Sequence, residues 1–281
     1  MVEHLELGQV PAPAKINLFL RVVGQRPDGY HQLNTLFSFL DYGDTLHFAR
    51  LESDRIMRMN PLPGVPDEKD LCMRAAHLMQ SESGTRQGVA ISLHKRIPMG
   101  GGLGGGSSDA ATTLLVLNRL WGLGWHRDRL ATLGLRLGAD VPVFIGGQAA
   151  FAEGIGEQLT PAQVPEDWYL VAHPGIGVST REIFSAPDLT RNSIPVKMHD
   201  FSAVWGQNDL QPVVVKRYPQ VARLLEWMAQ WGKASMSGSG ACCFVALGSE
   251  NAARSALLQL PTEYEGFVAR GMNRHPLRDW V

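Results

Sequence analysis

The chain has 281 residues, 44% of them apolar and 19% charged, with a formal net charge of -1. That length suits two modest hydrophobic cores, and the near-neutral balance lacks the basic excess with which a protein grips a nucleic-acid backbone. No apolar run approaches the ~20 residues needed to cross a bilayer, so neither a nucleic-acid nor a membrane partner is expected. Met1-Val-Glu-His-Leu-Glu-Leu lacks the basic-then-apolar order of a secretory signal. Cys72, Cys242 and Cys243 form neither an even disulfide set nor a Cys-x-x-Cys pair, and are expected as small core residues in a reducing cytoplasm.

From Ala14 to Val22, Ile16, Leu18, Leu20 and Val22 alternate with Lys15, Asn17, Phe19 and Arg21, which predicts a strand with the even-numbered residues in the core. Lys15 and Asn17 then share the other face, where they can meet a ligand together, although a lysine there is also an ordinary edge charge. Arg26-Pro27-Asp28-Gly29 has turn chemistry, and strands are expected over 35–40 and 45–51, separated at Tyr42-Gly43-Asp44. Helical spacing predicts a helix over 67–80, with Gly84 past its end.

A strand over 89–97 runs directly into Pro98-Met99-Gly100-Gly101-Gly102-Leu103-Gly104-Gly105-Gly106-Ser107-Ser108-Asp109. A helix follows, with Ala110, Leu114, Leu117 and Trp121 on one face and Gly122 as its stop. A second helix over 128–137 ends at Gly138, and Asp140-Val141-Pro142 suits the opening of a short helical turn, so Asp140 reads equally as a cap and as a catalytic carboxylate. Beyond about Glu157 the pattern restarts. A strand over 168–172, a capping box at Ser179-Thr180-Arg181-Glu182, a helix over 221–228, a strand over 242–247, a helix over 251–258 and a strand over 267–270 predict a split βαβ, ferredoxin-like layer. The fold class expected is therefore α+β, with domains at 1–157 and 158–281.

Six glycines among the seven residues from Gly100 to Gly106 let the backbone approach a ligand closely, and the helix that follows points its free N–H groups and positive dipole end back into the loop. Each charge-assisted hydrogen bond to a phosphate contributes roughly 1.5–3 kcal/mol. The position between strand and helix favours an anion cradle over a flexible connector. No Gly-Lys-Ser/Thr follows, which excludes a Walker A loop, and the helix expected after the loop helix excludes a dinucleotide fold in spite of the Gly100-x-Gly102-x-x-Gly105 spacing. His126-Arg127-Asp128 lacks the asparagine of a protein-kinase catalytic loop, and no histidines stand at His-x-x-x-His spacing, which argues against a zinc enzyme. Asp140 and Lys15 are the carboxylate and the cation that a phosphoryl-transfer site needs. Ser235-Met-Ser-Gly-Ser-Gly240 is either a second phosphate contact or a tight strand connection. Tyr30, His31 and Phe184 either stack on a base or sit in the core.

Three segments together, Ala14-Lys15-Ile16-Asn17-Leu18, Pro98 to Ala111 and Ser237-Gly238-Ser239-Gly240, resemble the GHMP kinases, and the likeness continues through Leu137-Gly-Ala-Asp-Val-Pro-Val-Phe144 and Arg270-Gly-Met-Asn-Arg-His-Pro-Leu277. The resemblance implies an N-terminal ribosomal-protein-S5-like α/β domain with a left-handed βαβ arrangement, a C-terminal ferredoxin-like domain and a cleft between them. It also implies Mg2+ and ATP, with ATP along Pro98, Met99, Gly100, Gly101, Gly102, Leu103, Gly104, Gly105, Gly106, Ser107 and Ser108 and with Lys95 on the nucleotide side. Lys15 and Asp140 are then the catalytic pair, Asn17 places the acceptor, and Tyr30, His31 and Phe184 contact its cytidine, the acceptor being a methylerythritol that carries a cytidine diphosphate. The magnesium ligands stay open in the sequence, with Ser107 and Ser108 available by position. Two alternatives stay open at this point: a kinase of the same superfamily acting on mevalonate-like or amino-acid alcohols, and a nucleotide-binding module without turnover.

Overall fold

A computed structural model describes residues 6–281; the amino-terminal stretch Met1 to Leu5, read above as lacking a signal, lies outside the described residues. Two long antiparallel strands, β1 (Glu6–Gln25) and β2 (His31–Leu51), joined by the expected Arg26–Gly29 turn, form the spine. β2 runs through Tyr42-Gly43-Asp44 without the expected break. Gly43 explains this: it pairs with Pro13, its α-carbon lies so close to the Ala12 carbonyl that a side chain would collide, and a register shift between Pro13 and Lys15 absorbs the misfit. A second shift, between Asn17 and Phe19, breaks the strict alternation. Phe19, placed on the outer face by periodicity, is therefore buried together with Ile16, Leu18 and Leu20.

β3 (Ile56–Arg58) lies parallel to β4 (Gly88–His94), with the crossover made by α1 (Leu71–Ser83). Asp70 caps α1 by accepting from the Cys72 amide at 2.8 Å, so the helix starts later than its pattern suggests, after a short 3-10 turn at Asp67–Lys69. α2 (Gly105–Leu120) was expected to bury one face. Every residue from Ser108 to Asn118 is buried, because α1, α3 (Arg127–Leu135), α4 (Val141–Gly146) and the sheet surround it. β5 (Ala150–Glu153) adds to β2 and forms a hairpin with β6 (Gln158–Pro161). The division expected at 157/158 falls within that hairpin.

The second half is β7 (Trp168–His173), α5 (Thr180–Phe184), α6 (Gln211–Arg217), α7 (Pro219–Met228), β8 (Ala234–Met236), β9 (Cys243–Leu247), α8 (Glu250–Leu257) and β10 (Glu265–Met272). Its strands lie in the order β10-β7-β9-β8, all antiparallel, which is the expected split βαβ layer. The end of β10 also pairs with β2, Gly271 opposite Leu40 and Met272 opposite Phe39, so both halves share one continuous sheet. A core cluster sits at that seam, with Ile16, Leu18, Phe19, Ile97 and Leu103 packed with Tyr169, Val171, Cys242 and Phe244. Full burial of each large side chain contributes about 1.5–3 kcal/mol. The seam therefore ties the strand carrying Lys15 to the glycine loop and to the second half. All three cysteines are free and buried, and burial pushes their thiols well up, which leaves them unreactive. No helix among the described residues is long and apolar enough to cross a membrane.

Candidate active site

A cleft of about 1360 Å³ opens between the halves, lined by β1, the glycine loop, the first turn of α2, Asp140, α5 and the Gly238–Gly240 turn. The loop between β4 and α2 is no flexible connector. Its carbonyls are tied down on the protein side: Gly100 and Gly101 accept from the amides of Ala241 and Cys242, Gly102 from the Ser237 hydroxyl and the Lys15 ammonium, and Leu103 from the Lys15 amide. Among the described residues no carbonyl accepts from the amides of Gly104, Gly105, Gly106 and Ser107, which open α2 and line the cleft. Such a row of free donors at a helix start is an anion site. Gly102 is the tightest point. It has φ 74°, and a β-carbon would overlap the Ser237 carbonyl. The Ser237 turn is thus a clamp on the loop as well as a strand connection, and its Gly238, Ser239 and Gly240 reach the cleft wall.

Lys15 is 2% exposed and makes three contacts that fix its ammonium: Asn17 Oδ1 at 2.7 Å, Gly102 O at 3.0 Å and Asp140 Oδ2 at 3.4 Å. The bulged strand therefore turns this lysine inward, and the edge-charge reading fails. Asp140 stands at the N-cap position of α4, yet its side chain caps nothing. Its carboxylate faces Lys15 and remains one-third exposed to the cleft. Asn17 spends both ends inside the protein, accepting from Lys15 and donating to Thr35 Oγ1 at 2.9 Å, so its geometry orients the lysine.

Lys95 lies directly under Gly105 and bridges two buried carboxylates, Asp44 Oδ2 at 2.6 Å and Asp109 Oδ2 at 2.7 Å. Asp44 also accepts from the amides of Arg96 and Ile97, which anchors the entry to the loop. Burial, reinforced by Asp44 and opposed by Lys95, pushes the Asp109 carboxyl up to about 8. Replacing Lys95 with methionine leaves buried acids without their cation, and the expected loss is about 3–5 kcal/mol of unfolding free energy; chemical denaturation measures it, and a loss below ~1 kcal/mol would contradict this role.

At the far end of the cleft, Tyr30 is exposed, while the His31 and Phe184 rings meet at 5.0 Å with 42° between their planes. Ser107 lines the cleft, but Ser108 is fully buried and does not. Pro98, Met99 and the glycines from Gly100 to Gly106 line this one cleft together with Lys15, Asn17, Lys95 and Asp140, whereas Ser235, Met236 and Ser237 do not. Asp109, Thr180 and Arg191 line the cleft as well, and Asp44 lies behind it on Lys95. Thr180 Oγ1 lies 2.7 Å from Ser239 Oγ across the cleft wall.

The chain matches the GHMP kinases N terminal domain over residues 70–148 and the GHMP kinases C terminal domain over residues 195–266, which together span more than half of it. The chain belongs to the GHMP kinases. Within this family of ATP-dependent small-molecule kinases, the 4-diphosphocytidyl-2-C-methyl-D-erythritol kinase of Nitrosospira multiformis is 58% identical over 275 residues, covering 96% of this chain and 93% of the relative. That of Thiobacillus denitrificans is 56% identical over 271 residues, covering 96% and 98%. Among solved GHMP kinase structures, a 4-(cytidine 5'-diphospho)-2C-methyl-D-erythritol kinase superposes with TM-score 0.80 at 31% identity, over 95% of this chain and 99% of that one. A homoserine kinase from Cytophaga hutchinsonii, with TM-score 0.69 at 16% identity over 98% and 97%, shares the GHMP kinase fold alone.

Proposed function

We propose that the chain transfers the γ-phosphoryl group of ATP to the 2-hydroxyl of 4-diphosphocytidyl-2-C-methyl-D-erythritol, giving the 2-phosphate and ADP, a step of non-mevalonate isoprenoid precursor synthesis in the cytoplasm. The observation that carries this reading is that one cleft brings together a row of free amides, the Lys15–Asp140 pair and the aromatic pair His31 and Phe184. Relatives bearing that name at 58% and 56% identity supply the acceptor.

The amides of Gly104 to Ser107 receive the phosphates. Lys15 is held by two hydrogen-bond acceptors and by the Asp140 charge, so it meets the developing charge without reorganising. A carboxylate is far too weak a base to ionise an alcohol beforehand; Asp140 orients the hydroxyl and takes its proton late in a loose transition state. Asn17 contributes by fixing Lys15, and Tyr30, His31 and Phe184 hold the cytidine. The residues suit Mg2+ as well. Magnesium keeps phosphates and waters as most of its ligands, and the Ser107 hydroxyl, which lines the cleft, would be the side chain on hand to hold it; among the described residues no three His, Cys, Asp or Glu form a cage of their own. When bound, the ion neutralises phosphate charge.

The test is ADP release with a panel of alcohols. Turnover is expected with the cytidine-bearing acceptor, inhibited competitively by CDP, and not with mevalonate or homoserine. Equal turnover of those alcohols, or indifference to CDP, counts against the assignment.

A further inference from the structure

Arg191 lies in the segment after α5 and uses its guanidinium in four directions at once. Nη1 donates to Leu189 O, Nη2 to Phe184 O and Ala186 O, and Nε to the His31 ring at Nε2, 3.0 Å away. An arginine is a donor only and stays charged at any working pH. The His31 nitrogen that receives its N–H must therefore present a lone pair, and the ring's proton must sit on Nδ1. Burial first, and the Arg191 charge second, lower the pKa of His31 and so keep the ring neutral. Nδ1 has no partner among the described residues and is not among the buried unpartnered atoms, so it is open to the cleft that His31 lines.

We propose that Arg191 is a positioning residue: it locks His31 as a hydrogen-bond donor toward the acceptor's base and thereby selects cytosine over uracil. The proposal rests on the reading of this end of the cleft as the cytidine site. The chemistry of the two bases makes the choice. Cytosine N3 is an acceptor and pairs with an Nδ1–H donor, whereas uracil N3 carries a hydrogen and opposes it. A histidine free to exchange tautomers would also present a lone pair at Nδ1 and lose that preference. Arg191 also ties the lock to the aromatic wall, because the same guanidinium holds the carbonyl of Phe184, whose ring contacts His31.

Nitrogen NMR of the ligand-free full chain, with labelled histidine, reads the tautomer with no substitution at all. The expected state is a protonated Nδ1 and a bare Nε2 on His31; a protonated Nε2 overturns the lock. The second arm compares CDP with UDP as competitors of the acceptor in the unchanged enzyme, in R191K and in R191M. CDP is expected to compete on the order of tenfold better than UDP in the unchanged enzyme, and the ratio is expected to shrink in both variants, with KM for the acceptor raised more than kcat is lowered. Variants that lose stability but keep the CDP-to-UDP ratio reduce Arg191 to a staple of its own segment and overturn the proposal. A failure of CDP to compete in the unchanged enzyme instead overturns the cytidine reading, and the NMR arm still judges the lock by itself.

Discussion

Asp140→Asn is expected to lower kcat by about 10²–10⁴-fold while leaving ATP affinity nearly unchanged. The amide keeps the shape of the carboxylate but cannot take the hydroxyl proton. It also removes the negative partner of Lys15, whose ammonium keeps its other two acceptors, Asn17 Oδ1 and Gly102 O, and so stays in place. Little stability should be lost, because the Asp140 carboxylate is one-third exposed and its side chain caps no helix. Steady-state kinetics together with nucleotide titration separate these effects. A variant with full turnover removes Asp140 from the mechanism, and one that merely unfolds shows the pair to be structural.

Gly102→Ala acts on the other half of the machinery. Its φ of 74° is unfavourable for a residue with a side chain, at roughly 1–2 kcal/mol, and the new methyl group overlaps the Ser237 carbonyl, a backbone atom that cannot swing aside. The loop must shift, and with it the four amides that receive phosphate. A misplacement of about 1 Å is enough to lower kcat/KM on the order of 100-fold. Gly248→Ala, outside the cleft, is the control: nothing lies within 4 Å of its β-carbon and its φ is not positive, so activity should change little. Equal losses at both positions would contradict the clash at Gly102 as the cause.

Much of the architecture was legible because it rests on local signals. The Gly100–Gly106 run, the capping serine at α5 and the alternation before Asn17 each announce one conformation, and the split βαβ order followed from alternating periodicity. What escaped depends on distant pairing. Three-residue strands such as β3 and β8 show no alternation, and α6 is cut from α7 at Tyr218-Pro219. The continuity of β2 through Gly43 is decided by its fit against Ala12 and Pro13, some thirty residues earlier. The same holds for the site. Lys15 and Asp140 were visible through the motifs that carry them, whereas Asp44 and Arg191 act through partners 51 and 160 residues away, and no spacing rule links them. Ser108 was grouped with Ser107 by adjacency, but one residue is a rotation of about 100° on a helix, and that carries Ser108 away from the cleft.

The central claim is electrostatic: main-chain amides at the start of α2 bind the nucleotide's phosphates beside Lys15 and Asp140. A crystal structure with a non-hydrolysable ATP analogue tests it most directly. Phosphate oxygens within hydrogen-bond distance of the Gly104 to Ser107 amides, with the terminal phosphate next to Lys15, is the predicted result. Phosphates bound elsewhere in the cleft, with those amides facing water, would contradict it.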